Sequence, residues 1–342
     1  MQEIGNEKHK EIFIKMLRIR AFEERAIAEY RKGVLPGFIH ASVGQEAIPA
    51  AICAFLRKDD YILTTHRGHG DIIAKGAEYD KMMAELFAKE TGYNRGRGGS
   101  MHIVAPDLNM LGATAIVGAG IPIASGVALG CKMQKLDRVT VCFTGDAATS
   151  TGAFHEGVGL AAILDLPVLF VVENNGYGMS SPVKLNCKLE KLSDRAKGYG
   201  IPGVTVDGND AEAVAEVASD AINRARKGGG PTLIDAITYR YSGHHMGDPG
   251  TSYRSKEEVE EWKLKRDPID RFQARLLAAK IITKSEIKKI QDGIDKELDD
   301  AVKFGMESPE PRIEDALKDI YYIPEQLQGV NNATGNLQRS IA

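Results

Sequence analysis

Residues 138–178 read RVTVCFTGDAATSTGAFHEGVGLAAILDLPVLFVVENNGYG. Two short apolar runs, 139–144 and 168–172, are rich in valine and flank an apolar segment, 152–164, of helical length, so the stretch predicts strand, helix, strand. A second such unit follows, with a strand at 204–206, a helix at about 211–227, a stop at Gly228-Gly229-Gly230-Pro231, and a strand at 232–239. Alternation of this kind implies an α/β fold built on a doubly wound, largely parallel sheet with helices on both faces. Upstream, helices are expected around 18–31, 45–56 and 80–90, followed by a glycine-dense stretch at 92–130. Downstream, from about 253, the chain turns helical and charged, and Ser255-x-x-Glu258 and Thr283-x-x-Glu286 are capping-box patterns. No repeat, low-complexity block or linker divides the chain. One domain is expected over 1–325, with a polar, mobile tail at 326–342.

Composition narrows the function classes. In 342 residues, 43% are hydrophobic, enough for a large core, and a net charge of −3 leaves no basic excess to drive nucleic-acid binding. Cys53, Cys131, Cys142 and Cys187 form no Cys-x-x-Cys pair and mostly lie in apolar runs, which suits buried thiols. The first thirty residues suit an amphipathic helix and not a signal peptide. The longest apolar stretch, 160–172, is broken by Asp165 and Pro167 and is too short to span a bilayer. A soluble, cytoplasmic protein with no membrane or nucleic-acid partner is expected.

In an open parallel sheet, ligands gather beyond the carboxyl ends of the strands. Three strand ends carry polar groups there: Thr144-Gly145-Asp146-Ala147-Ala148, Glu173-Asn174-Asn175-Gly176-Tyr177, and Arg240-Tyr241-Ser242-Gly243-His244-His245. Asp146 and Asn175 offer hard oxygens of the kind magnesium prefers, and magnesium in such sites is commonly completed by substrate phosphates. The helix entering at about 150–152 is expected to aim its amino end at the same crevice and favour an anion. Arg67 and Arg240 could add charge-assisted bonds to phosphate. Each segment alone reads as a polar turn; two at the ends of strands joined by one crossover helix read as a site. His66-x-x-His69 lacks a third ligand at a standard zinc spacing, so zinc is disfavoured.

These segments carry a family resemblance. Gly145-Asp146-Ala147 followed by Asn174-Asn175 resembles the thiamin diphosphate motif. Gly98-Gly99-Ser100-Met101-His102, Ala115-Ile116-Val117-Gly118, Phe154-His155-Glu156-Gly157, Glu173-Asn174-Asn175-Gly176-Tyr177-Gly178-Met179 and Thr238-Tyr239-Arg240-Tyr241 with Gly243-His244 resemble alpha subunits of pyruvate and acetoin dehydrogenase complexes, over about 10–320. The resemblance implies the thiamin diphosphate-binding fold, the cofactors thiamin diphosphate and Mg2+, and an oxidoreductase that decarboxylates pyruvate or cleaves acetoin and passes the acyl unit to lipoamide. It further implies that Asp146, Asn175 and the Tyr177 carbonyl hold the metal. Gly145, His66, Arg67, Ala147, Ala148, Arg240 and His244 would line the diphosphate. Ala115 and Val117 would meet the aminopyrimidine, Met179 would press the cofactor into a bent shape, and Phe38 and His40 would face the substrate. His40 and His244 are the catalytic candidates, moving protons. A glutamate needed for activation comes from another chain in this family, so the resemblance implies a beta subunit, two alpha and two beta chains in all, and a lipoyl-bearing dihydrolipoyl acyltransferase as partners.

Two positions depart from the pattern. Ala147 stands where the family usually has glycine, which requires an ordinary backbone angle there. His245 stands where mitochondrial pyruvate dehydrogenases carry a regulatory serine, which removes that phosphorylation. The segments at 64–70, 164–167 and 199–208 resemble bacterial acetoin enzymes, whereas Tyr239-Arg240-Tyr241 and Met246 with Asp248-Pro249-Gly250 resemble pyruvate enzymes. A branched-chain 2-oxo acid enzyme is a further alternative. A non-catalytic nucleotide-binding module is a different class, but neither Gly-x-Gly-x-x-Gly opening a helix nor a Gly-x-x-x-x-Gly-Lys-Ser/Thr loop is present.

Overall fold

The computed structural model describes residues 4–316, so the tail expected at 326–342 lies outside the described residues. A compact unit extends to Pro309. A second unit begins at Glu310, and its described part, 310–316, is a short turn at Ile313–Asp315 in which Arg312 pairs with Asp315.

The compact unit starts with helices α1 (Asn6–Arg31) and α2 (Ala47–Cys53), strand β1 (Tyr61–Thr65), and helices α3 (His69–Lys75) and α4 (Tyr79–Leu86). Strand β2 (Met110–Thr114), helix α5 (Gly120–Met133), strand β3 (Thr140–Gly145), helix α6 (Gly152–Ile163) and strand β4 (Val168–Asn174) follow. A small hairpin, β5 (Tyr177–Gly178) and β6 (Ser181–Pro182), and a single helical turn, α7 (Val183–Asn186), precede β7 (Gly203–Asp207), α8 (Ala211–Arg226) and β8 (Thr232–Ile237). Helices α9 (Lys256–Arg266), α10 (Pro268–Ala278) and α11 (Lys284–Glu307) form the C-terminal extension. The six long strands make one sheet in the order β2-β1-β3-β4-β8-β7, with every neighbouring pair parallel. The α/β reading therefore holds.

The sheet is buried on both faces because its strands are apolar at successive positions and successive side chains point to opposite sides. Val141, Phe143, Leu169, Val171, Ile234 and Ala236 pack on one side, in the core that α1, α2 and α8 also build. Cys142, Val168, Phe170, Val172 and Leu233 pack on the other, against Ile121 and Ala124 of α5 and Phe154 and Val158 of α6. Cys53, Cys131 and Cys142 are buried free thiols. None of the described helices is long and apolar enough to cross a membrane.

Three sequence expectations need adjustment. The first helix begins well before residue 18, at Asn6, because Ile12, Phe13 and Met16 are buried beside Leu17, Ile19 and Phe22. Thr283 and Glu286 form a complete capping box, but Ser255 and Glu258 do not: Ser255 caps the Glu258 amide, while the Glu258 carboxylate is bound by two tyrosines. The helix at 152 is separated from β3 by a 3-10 turn, Asp146–Ser150, so its amino end is set back from the strand end.

Phe170 is fully buried against the α5–α6 layer. Phe170→Ala is expected to destabilise the chain by about 3–5 kcal/mol in chemical denaturation, the usual cost of deleting a buried ring.

Candidate active site at the carboxyl ends of the strands

Parallel register decides what meets here. Gly145 pairs with Glu173, and Asn174 pairs with Ile237, so Asp146 and Asn175 each leave the sheet one residue later at adjacent strand ends. They open into a cavity of about 540 Å³, whose wall also takes His66 and Arg67 from beyond β1, 114–118 from the end of β2, Met179 from the hairpin, and Arg240 and His244 from beyond β8. His40 and Gln45 reach it from the loop before α2. Of the site residues expected from sequence, Phe38 alone is not part of this wall; it stands edge-on to His245, with ring centroids 5.3 Å apart.

The two asparagines divide their work. Asn174 donates to buried Asp235 at 3.0 Å, and its carbonyl accepts the Thr238 amide, which ties β4 to β8. Asn175 faces the cavity, donating to Gln45 at 3.0 Å while its oxygen accepts the Tyr177 amide at 3.3 Å. Ala147 has no positive φ, so the methyl in place of glycine causes no backbone strain. A Cβ on Gly178 would come within 2.8 Å of the Ala147 methyl, so the bare glycine in the hairpin makes room for it. Gly118, at φ +82°, likewise lets the loop after β2 approach the Thr151 hydroxyl that caps α6. The wall stops at Ala148, and Thr151 occupies the Phe154 amide; the 3-10 turn, rather than the helix end, therefore faces the cavity.

Unmet polar atoms are concentrated in the cavity. Among the described residues seven buried side-chain atoms lack a hydrogen-bond partner, and four of them, His40 Nδ1, Gln45 Nε2, Asp146 Oδ2 and Arg240 Nε, belong to residues of this wall. An unmet buried polar atom is costly, so this is where a ligand would be stabilised most. Burial pushes the Asp146 carboxyl up to about 6, although the backbone amides of Asp146 and Ala147 and the Arg240 guanidinium oppose it. A carboxylate in that state calls for a cation. Arg240, 1% exposed, donates to the Met179 carbonyl and the Tyr253 hydroxyl, yet its Nε is left over for an anion.

Arg67 has a structural task as well as its place in the cavity wall. Its guanidinium donates to the Ala41 carbonyl at 2.7 Å and the His244 carbonyl at 2.8 Å, so it fastens the loops that carry His40 and His244 and lends the cavity charge. Burial, reinforced by Arg67, holds the histidines neutral: His40 falls to about 2, His66 to about 3 and His244 to about 4. The sequence pair His66 and His69 separates completely. His69 opens α3 and is buried between Glu23, at 3.1 Å, and the Ser100 hydroxyl, at 3.0 Å.

Unmet polar atoms of opposite charge, Asp146 Oδ2 and Arg240 Nε, face one cavity at the ends of parallel strands, and sequence comparison defines the lineage of the chain. Residues 14–314 match the family model described as the dehydrogenase E1 component. The chain belongs to that family. It is 46% identical over 318 residues to the alpha subunit of acetoin:2,6-dichlorophenolindophenol oxidoreductase from Bacillus subtilis (strain 168), covering 93% of this chain and 95% of the relative. Over 328 residues it is 40% identical to the pyruvate dehydrogenase E1 component subunit alpha of Porphyra purpurea, again covering 93% and 95%. With the testis-specific mitochondrial form from Homo sapiens the identity is 38% over 306 residues, 90% of this chain and 78% of that protein. The protein is thus an E1 alpha subunit of the pyruvate and acetoin dehydrogenase type, an oxidoreductase component of a family that uses thiamin diphosphate.

Several residues of this E1 chain were not singled out by sequence. Gln45 holds Asn175, and Glu173, at the end of β4, is buried in the wall with its carboxyl pushed up to about 7 by burial against the pull of Arg67. A charge closing an all-apolar strand was the available signal for Glu173. Glu258 was read only as a capping-box carboxylate, whereas it accepts from Tyr177 at 2.9 Å and Tyr239 at 3.0 Å, and Tyr239 stacks on Trp262. Helix α9 is thereby tied to the turn that follows Asn175. Glu258→Ala is expected to leave the melting temperature nearly unchanged, while the thiamin diphosphate concentration needed for half-maximal binding rises several-fold; Glu258→Gln, which keeps an acceptor, should recover most of the affinity.

Proposed function

We propose that this alpha subunit holds magnesium thiamin diphosphate in the strand-end cavity and supports cleavage of acetoin or decarboxylation of pyruvate, with transfer of the acyl unit to lipoamide. The observation that carries this reading is the pair of opposite unmet groups in one cavity, Asp146 Oδ2 for a cation and Arg240 Nε for an anion. Asp146, Asn175 and the Tyr177 carbonyl would hold magnesium, an ion that takes oxygen ligands and keeps phosphate in its shell. Gly145, His66, Arg67, Ala147, Ala148, Arg240 and His244 would line the diphosphate. Ala115 and Val117 would meet the aminopyrimidine. Met179, held at φ +57° with its carbonyl bound by Arg240, is well placed to brace the cofactor.

When bound, the cofactor supplies the electron sink for breaking the bond beside the carbonyl. The protein's part is to orient and to move protons. His40 and His244 begin neutral, so each can accept a proton, and the negative diphosphate would offset Arg67 and Arg240 and bring both imidazoles closer to neutral pH. Phe38, together with His40, would face the substrate. The relative at 46% identity carries an acetoin name and that at 40% a pyruvate name, which supports acetoin ahead of pyruvate.

The cavity is half of a cleft. Large apolar side chains of its wall lie exposed, Ile116 at 73%, Val117 at 55% and Met179 at 63%, and Phe38, at 56%, lies exposed beside His245. Such a patch suits a protein interface. These relatives are named as alpha subunits, and we infer that a beta subunit covers the patch in an assembly of two alpha and two beta chains, served by a lipoyl-bearing dihydrolipoyl acyltransferase in the cytoplasm.

Asp146→Ala should abolish magnesium-dependent binding of thiamin diphosphate in calorimetry, with the circular dichroism spectrum preserved. In the wild type, binding should weaken as pH falls through about 6, by up to about tenfold per unit, because the proton competes with the metal for the Asp146 carboxylate. Unchanged affinity in the variant would overturn the site. Reconstitution with the beta chain, assayed on acetoin, pyruvate and a branched 2-oxo acid, is expected to show turnover on acetoin first and almost none by the single chain; full turnover without a partner would refute the shared cleft.

A further inference from the structure

His40, His66 and His244 come from three separate segments, yet their nearest ligand atoms all lie within 4.8 Å of one another. The ring centroids are 4.8, 5.1 and 5.3 Å apart. One residue organises all three. Arg67 follows His66 in the chain, donates to the carbonyl next to His40 at Ala41, and donates to the carbonyl of His244 itself. The His244 amide is fixed separately by Asp248 at 2.7 Å. Such backbone anchoring is what a preorganised ligand set requires. Two of the rings show where a lone pair is available: His40 Nδ1 is buried without a hydrogen-bond partner, and His244 Nδ1, facing the Arg240 donor at 3.3 Å, is the unprotonated nitrogen and would exchange that donor for a metal. No proton has to be displaced at neutral pH, since burial holds all three neutral.

We propose that His40, His66 and His244 form a three-imidazole site for a borderline transition-metal cation such as zinc(II), with its fourth position open to the cavity. Zinc binds imidazole nitrogen at about 2.0–2.1 Å, which sets tetrahedral ligand atoms about 3.3 Å apart. Closing the present triangle to that size takes side-chain rotations of the order of an ångström. Arg67 and Arg240 oppose a cation, but the Asp146 and Glu173 carboxyls of the same wall counter them, and the Arg67 guanidinium is bonded to carbonyls. Magnesium, which selects oxygen, does not compete for the three nitrogens. The sequence pair His66 and His69 pointed away from this site, since His69 is committed to Glu23 and the other two ligands are remote in the chain.

The consequence for activity rests on the active-site reading above, whereas metal binding does not: a zinc ion here would occupy the lone pairs of His40 and His244 and silence proton transfer. The test uses the full metal-stripped chain without cofactor. Calorimetry should give one zinc per chain, and cobalt(II) should produce the intense visible bands of a four-coordinate nitrogen site that zinc abolishes. His66→Asn and His40→Asn should each lose the site, while Asp146→Ala and Cys187→Ser keep it. As a check independent of variant folding, the paramagnetic proton spectrum of the wild-type cobalt form should show three exchangeable imidazole N–H resonances. No zinc binding by the wild type, binding that survives both histidine variants, or fewer than three shifted resonances would overturn the site. In the reconstituted enzyme zinc should remove turnover and a chelator restore it; turnover that persists with the site filled overturns the inhibitory role.

Discussion

Unbroken parallel register across β3, β4 and β8 is the constraint on which the rest of the molecule depends. A slip of one residue in either pairing would turn every side chain of the slipped strand to the opposite face. A slip of β4 would turn Phe170 out of its own core and into the one that holds Phe143, and Asp146 and Asn175 would no longer leave the sheet in register. The alternation of two different apolar layers therefore enforces the geometry of a polar site whose wall each layer meets at one residue, Phe143 on one side and Ala148 on the other. Asn174 and Asp235 reinforce the same register from within, because the buried carboxylate also accepts the Leu192 amide and so pins the segment leading into β7.

Around that fixed centre the electrostatics are left incomplete. A folded chain normally matches its buried polar atoms, and an unmatched one persists where the surroundings hold it in place. Here the holding groups can be named. Glu23 binds the Ser42 amide and hydroxyl, Arg20 binds Glu46, which takes the Gly44 amide, and Arg67 spans the carbonyls on either side. These ion pairs and backbone contacts converge on the loop that carries His40, so an ordinarily mobile element is clamped from α1 and from the sheet. The cavity is prepared for charge before any charge arrives.

Much of this was legible from residue order. Strands β3, β4 and β8 announce themselves as dense apolar runs, and Asp146 and Asn175 follow from lying among the polar groups that close two of them. Strands β1 and β2 were not legible. Tyr61–Thr65 has two apolar positions between polar flanks, and Met110–Thr114 contains a glycine at the sheet edge, so neither has the run or the alternation that marks a strand. Helix α5 is similarly masked, since Gly120, Pro122, Gly126 and Gly130 are poor helix formers that only packing on α6 and β3 can recruit. Gln45, Glu258 and the gathering of three histidines were invisible for a simpler reason: contacts between residues far apart in the chain have no local signature. His69 shows the converse, a neighbour in sequence that a helix start turns toward a different partner.

The stacking of Tyr239 on Trp262 has an optical meaning. Trp262 is the only tryptophan in the chain, its ring lies 5.1 Å from that of Tyr239 at 10°, and Tyr239 shares the Glu258 carboxylate with Tyr177. An indole emission is sensitive to the charge and packing beside it. The molecule thus carries one indole fluorophore, two side chains away from the turn after Asn175, and its emission, excited selectively at the red edge beyond tyrosine absorption, is a label-free gauge of that turn.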